Sequence, residues 1–142
     1  MLSPTVLLPV CLLCSTSSLA QTPMVSNISC VDRIELPKYP RLAMSAQIKG
    51  TVTASFRLTS AASVEETKIE GHPLLTSSVK ASIRQASFHT DCGGRLITLL
   101  FEFEIVGQPS GNPMQTYSFG SPNTFWITTE PLKMMIEGGK KK

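Results

Sequence analysis

Charge is scarce in this chain: 16% of its 142 residues are Asp, Glu, Lys or Arg, the net charge is +3, and the one basic run is the three lysines at residues 140–142. So thin and scattered a positive charge excludes the basic face of a nucleic-acid binder. Histidine is scarcer still, with only His72 and His89. A protein metal site needs three or four ligands, and these histidines do not lie at zinc-site spacing from any cysteine pair, so neither metal nor cofactor is expected. His89 precedes Cys92 by three positions, but no third group is in place to orient a nucleophile and its base. The carboxylates Glu65, Glu66, Glu102 and Glu104 fall on strand-like segments and read as solvated faces rather than acid/base pairs. The sequence therefore points away from an enzyme. It also lacks an uninterrupted apolar run of the roughly 20 residues that a spanning helix needs, and it has no internal repeat.

What is present begins with an apolar, uncharged stretch followed by a Ser/Thr-rich segment ending on small residues. Residues 1–20 read as a secretory signal peptide cleaved after Ala20, with Ser18 and Ala20 as the small residues of the cleavage site. An uncleaved anchor is the alternative, although Pro4, Pro9 and the serines and threonine at residues 15–18 interrupt the apolar span. Cys11 and Cys14 would leave with the signal. The remaining cysteines, Cys30 and Cys92, form an even pair in an exported chain and are expected to be bonded.

Residues 21–33 form a polar lead. The run Leu36-Pro37-Lys38-Tyr39-Pro40 must be extended, because each proline disfavours helix in the residue before it. Pro40 suits the first position of a short helix through Gln47. From Thr51 the period changes to two, with Val52, Ala54, Phe56 and Leu58 on one face. Residues 64–70 resume as a second strand with imperfect alternation, which suggests a bulge. Gly71-His72-Pro73 opens a second helix whose apolar face is Leu75, Val79, Ile83 and Ala86. The strongest strand covers residues 95–106, with Ile97, Leu99, Phe101, Phe103 and Ile105 on one face. Residues 107–123 read as a loop or linker, residues 124–129 as one more short strand, and the basic end as a disordered tail.

The combination Tyr39-Pro40-x-x-Ala43, Ile48-x-Gly50-x-Val52, Gly71-His72-Pro73-Leu74-Leu75, Phe88 and Phe101-x-Phe103 resembles the TonB C-terminal domain family over residues 34–106. The resemblance implies an α+β fold: a three-stranded antiparallel sheet with two helices packed on one face, with an extra C-terminal strand as an addition. It also implies a function. In that family the domain takes up a short peptide, the TonB box of an outer-membrane transporter, as an added strand. The implied partner-binding edge is Arg95, Leu96, Ile97, Thr98, Leu99, Leu100, Phe101, Glu102 and Phe103. The strand at residues 124–129 is expected to loop back antiparallel along that edge and compete with the partner, the alternative being that it packs elsewhere or extends the sheet permanently, and the same edge offers a route to a homodimer. The reading is thus an envelope binding module related to transmembrane transport, with a self-associating structural protein as the alternative.

Overall fold

A computed structural model describes residues 30–120 and 123–134. The expected signal peptide, most of the lead and the basic tail lie outside the described residues. Among the described residues no helix is long and apolar enough to cross a membrane.

Helix α1 (Arg41–Ser45) starts from extended Pro40 and is shorter than the proline and spacing suggested. Its end is fixed by Gln47, which takes a left-handed conformation (φ 53°). Ile48 N–H then donates to the Ala43 carbonyl (2.8 Å) and Gln47 N–H to that of Met44 (3.1 Å). These two bonds satisfy carbonyls that the last turn would otherwise leave open. The buried Tyr39 hydroxyl donates to the Ile48 carbonyl at 2.6 Å, and its ring meets Phe103 edge-on at 5.2 Å. The Tyr-Pro and Ile-x-Gly motifs are therefore two halves of one structural clasp around α1.

Strand β1 (Val31–Arg33) precedes that helix, and β2 (Gly50–Leu58) follows it and turns at residues 59–63 into β3 (Val64–Glu70). The alternation on β2 is the one expected, with Val52, Ala54, Phe56 and Leu58 buried. The pairing of β2 with β3 slips between Ser55 and Arg57, where Glu66 adopts φ 49°. That is the bulge anticipated from the broken alternation. Gly71 comes next, with φ +149°, and a β-carbon there would stand 2.9 Å from the Thr51 carbonyl oxygen. Only glycine lets the chain pass so close to β2. His72 Nδ1 accepts from Leu74 N–H (3.2 Å), and Pro73 opens α2 (Pro73–Gln85). The Gly-His-Pro run is thus a close turn, a cap and a helix start in three residues.

Helix α2 packs on β2 and β3 through Leu75, Val79 and Ile83. Strand β4 (Ser87–Phe88) pairs with β1, and beside them Cys30 and Cys92 are bonded, with Cα atoms 5.7 Å apart at a sequence separation of 62. In the chain-entropy description a loop of that size stabilises by about 4 kcal/mol.

Strand β5 (Leu96–Ile105) is followed by β6 (Gln115–Gly120) and β7 (Thr124–Thr129), and the main sheet has the order β3-β2-β5-β7-β6. The expected three-stranded antiparallel unit, β3-β2-β5, is present, but the sheet has five strands rather than three. The strand at residues 124–129 also runs parallel to β5, not antiparallel. The reason lies in β6: the chain leaves β5, forms the outermost strand first, and returns between the two. The core continues across this junction, with Phe125 opposite Phe101 and Ile127 opposite Phe103, all buried.

Candidate functional site

Of the residues expected to form a binding edge, Leu100, Phe101, Glu102 and Phe103 lie in the interior of the sheet, between β2 and β7. Arg95 precedes β5, and Ile97, Leu99, Phe101 and Phe103 are buried core residues. Leu96, Thr98, Leu100 and Glu102 lie on the opposite face, and β7 occupies the backbone edge beside Leu100 and Glu102. β5 is therefore not an edge strand from Leu100 onward, whereas the register with β7 does not extend to residues 95–99. The edge moves outward because β7 carries the same apolar alternation as β5 and joins its core.

Among the described residues the outermost strands of the sheet are β3 and β6. They differ in kind. Strand β3 carries Glu65, Glu66, Lys68 and Glu70, an ion pair between Lys68 and Glu70 at 3.0 Å, and the bulge at Glu66. Charge and a bulge are the devices by which a sheet discourages a further strand. Strand β6, reading Gln-Thr-Tyr-Ser-Phe-Gly, has neither charge nor bulge, and its register with β7 is regular over all six residues.

The phase of its backbone follows from two hydrogen bonds. Leu100 N–H donates to the Asn123 carbonyl and Val106 N–H to the Thr129 carbonyl, both at 2.9 Å. In a parallel ladder this places the odd-numbered backbone groups of β7 toward β5. Thr124, Trp126 and Thr128 therefore turn theirs toward β6, where they face Gly120, Ser118 and Thr116. Gln115, Tyr117 and Phe119 are left with N–H and C=O directed away from the sheet. Their side chains share the helix-bearing face, since Phe119 lies opposite Phe125 and Tyr117 opposite Ile127. No helix reaches that far: Tyr117 is 40% exposed, Phe119 60% and the preceding Met114 67%.

Strand β6 is also tied to the Tyr-Pro motif. Tyr39 N–H donates to Gln115 Oε1 (3.2 Å), and Gln115 Nε2 donates to the Tyr39 carbonyl (3.5 Å). The Tyr117 hydroxyl donates to the same Gln115 Oε1 at 3.1 Å. Partial burial, assisted by the charge of Glu35, raises the Tyr117 pKa above its ordinary value.

Cys92 is held in the disulfide and offers no thiol to His89. Among the described residues no group of three or more His, Cys, Asp or Glu is placed to hold a metal ion. The motif residues Tyr39, Pro40, Ala43, Ile48, Gly50 and Val52 gather around α1 and the start of β2, where Tyr39, Ala43 and Val52 are buried in the core and Gly50 is exposed with φ 143°.

Strand β6 is the element of the main sheet that sequence reasoning missed, as it also missed the short pair β1 and β4. Its period-two signal, Thr116, Tyr117, Ser118, Phe119, is short and lies in a segment rich in Gly, Pro, Ser and Asn. No protein-family model matches the chain, and no curated protein matches it either.

Proposed function

We propose that the protein is an exported, non-enzymatic binding module that captures an extended peptide or protein segment as an added strand along β6. The observation that carries this reading is the contrast between the edges: β3 is charged and bulged, whereas β6 presents the outward backbone groups of Gln115, Tyr117 and Phe119 beside exposed aromatic rings. Main-chain pairing supplies affinity in such an addition and the alternate side chains supply selectivity. The resemblance to the TonB C-terminal domain family supports the same kind of chemistry, with the TonB box of an outer-membrane transporter as the partner class and transmembrane transport as the setting. In this chain the receiving strand is β6 instead of β5. The disulfide supports export to an oxidising compartment.

Self-association through the same edge is the second reading. It is favoured by symmetry, since Gln115 and Phe119 flank Tyr117 equally, and two-fold pairing about Tyr117 would set each Gln115 opposite the other copy's Phe119.

The test is a proline at Tyr117. Its N–H faces outward, so Tyr117→Pro removes an edge donor without breaking the ladder to β7. Capture of partners from envelope extract should be lost while the thermal midpoint shifts only slightly. If self-association is the function, the variant instead converts a dimer to a monomer on a sizing column. Unchanged capture and an unchanged oligomeric state would sink both readings of β6.

A further inference from the structure

The edge offered by β6 is chemically lopsided. At its Phe119 end it is apolar: Phe119 packs edge-on against Phe125 at 5.3 Å, and the Trp126 indole lies over Gly120. At its Gln115 end it has carboxylates close by. Glu130 Oε2 accepts from the N–H of Met114 (3.4 Å), the residue before Gln115. The segment carrying Glu35 is drawn to the same end by the Gln115–Tyr39 bonds, and the charge of Glu35 reaches the Tyr117 hydroxyl. Strands β5, β6 and β7 contain no Lys or Arg, although the chain as a whole is net positive. Among the described residues the ion pairs are Arg57–Glu66 and Lys68–Glu70, both on the far side of the sheet, so neither Glu35 nor Glu130 is in an ion pair.

We propose that the segment received by β6 reads apolar-x-apolar-x-Lys/Arg and runs antiparallel, with its apolar residues opposite Phe119 and Tyr117 and its cationic residue opposite Gln115, among Glu35 and Glu130. This rests on the strand-addition reading and specifies its partner. An added strand lies about 4.8 Å from β6, and its residues opposite Gln115, Tyr117 and Phe119 project to the helix-bearing face, beside the aromatic rings and the carboxylates. The intervening positions fall on the other face beside Thr116 and Ser118, which suits small hydroxyl side chains. Opposite charges in register stabilise the pairing and like charges oppose it.

The probe is a labelled, end-blocked peptide of sequence Thr-Val-Thr-Ile-Thr-Lys-Thr, titrated against the full chain with its disulfide intact. It is compared with a version carrying Glu in place of Lys and with the reversed sequence. The Lys peptide should bind about tenfold more tightly than the Glu peptide at low salt. The gap should narrow at about 0.5 M salt, and the reversed sequence should bind more weakly. Glu35 is exposed and, among the described residues, forms no hydrogen bond or ion pair, so Glu35→Lys should fold normally and invert the preference between the two peptides. Equal binding of the Lys and Glu peptides, lost together in Tyr117→Pro, would leave strand addition standing and overturn the charge selection. Equal binding of the reversed peptide would overturn the antiparallel order. Failure of every peptide to bind would overturn strand addition and this inference with it.

Discussion

The indole of Trp126 lies so close over Gly120 that a β-carbon on the glycine would overlap its Cζ3 and Cη2 atoms. The two residues are diagonal neighbours across the β6–β7 ladder, where Trp126 is opposite Ser118 and Gly120 opposite Thr124. A bare glycine is the condition for the ring to lie there, and the ring in turn covers a strand position that has no side chain of its own. Gly120→Val should therefore destabilise the outer hairpin by about 1–3 kcal/mol. Amide exchange at residues 115–120 would quicken while β2 and β5 keep their protection. Equal protection of β6 in variant and parent would show that the contact is not what holds the strand.

Tyr39 links the helix clasp to alkaline stability. Burial pushes its pKa from 10.0 up to about 12, because the phenolate would lose water as well as the bond its hydroxyl donates to Ile48. A raised folded-state pKa means that the stabilisation is fully present below pH 10 and disappears as pH rises toward 12. Between about pH 9 and pH 11 the parent should lose on the order of 1 kcal/mol more than Tyr39→Phe. Tyr117 shifts in the same direction, so the variant keeps part of the dependence. Parallel urea-unfolding midpoints across that range in both proteins would contradict the assignment.

How far the sequence disclosed this fold depends on how much of each element's pattern is set by one face. Strands β2 and β5 alternate over nine and ten residues against the core, and both were legible. Helix α2 and the Gly71-His72-Pro73 turn were legible for similar local reasons. Strand β6 was not, because its helix-side residues Tyr117 and Phe119 lie beyond the helices and its other face is Thr, Ser and Gly. Missing β6 also inverted the direction of β7. A segment that returns directly from β5 would lie antiparallel to it, whereas one that first builds the outer strand arrives parallel. The binding edge was placed on β5 for a different reason: the strand at residues 124–129 was read as a competitor for that edge rather than as a member of the sheet.

The end of α1 offers a stabilising change. Gln47 holds a left-handed conformation at the position after the cap, where glycine is the least strained residue, and its side chain is exposed. Gln47→Gly should raise stability by about 0.5–1 kcal/mol, since relief of the left-handed strain outweighs the extra freedom gained by the unfolded chain. A rise of a few degrees in the thermal midpoint is the expected readout. A fall would mean that the conformation at Gln47 is less strained than its φ implies.

The β6–β7 hairpin is an integral part of the domain rather than a cover that comes away to let a partner in. Phe125 and Ile127 are fully buried, Phe125 stacks on Phe101 at 5.1 Å, and the Thr129 hydroxyl reaches Met44 Sδ at 3.4 Å. Burying two such side chains stabilises by roughly 5 kcal/mol, comparable to the whole stability of many small domains. Ending the chain after Gly107 would also strip the partners from the backbone groups of Leu100, Glu102 and Glu104 and leave a hydrophobic strand at the edge. The truncated protein should melt far below the parent and associate on a sizing column. The opposite result, a stable monomer that captures peptide more tightly than the full chain, would restore the view of β7 as a competitor for the β5 edge.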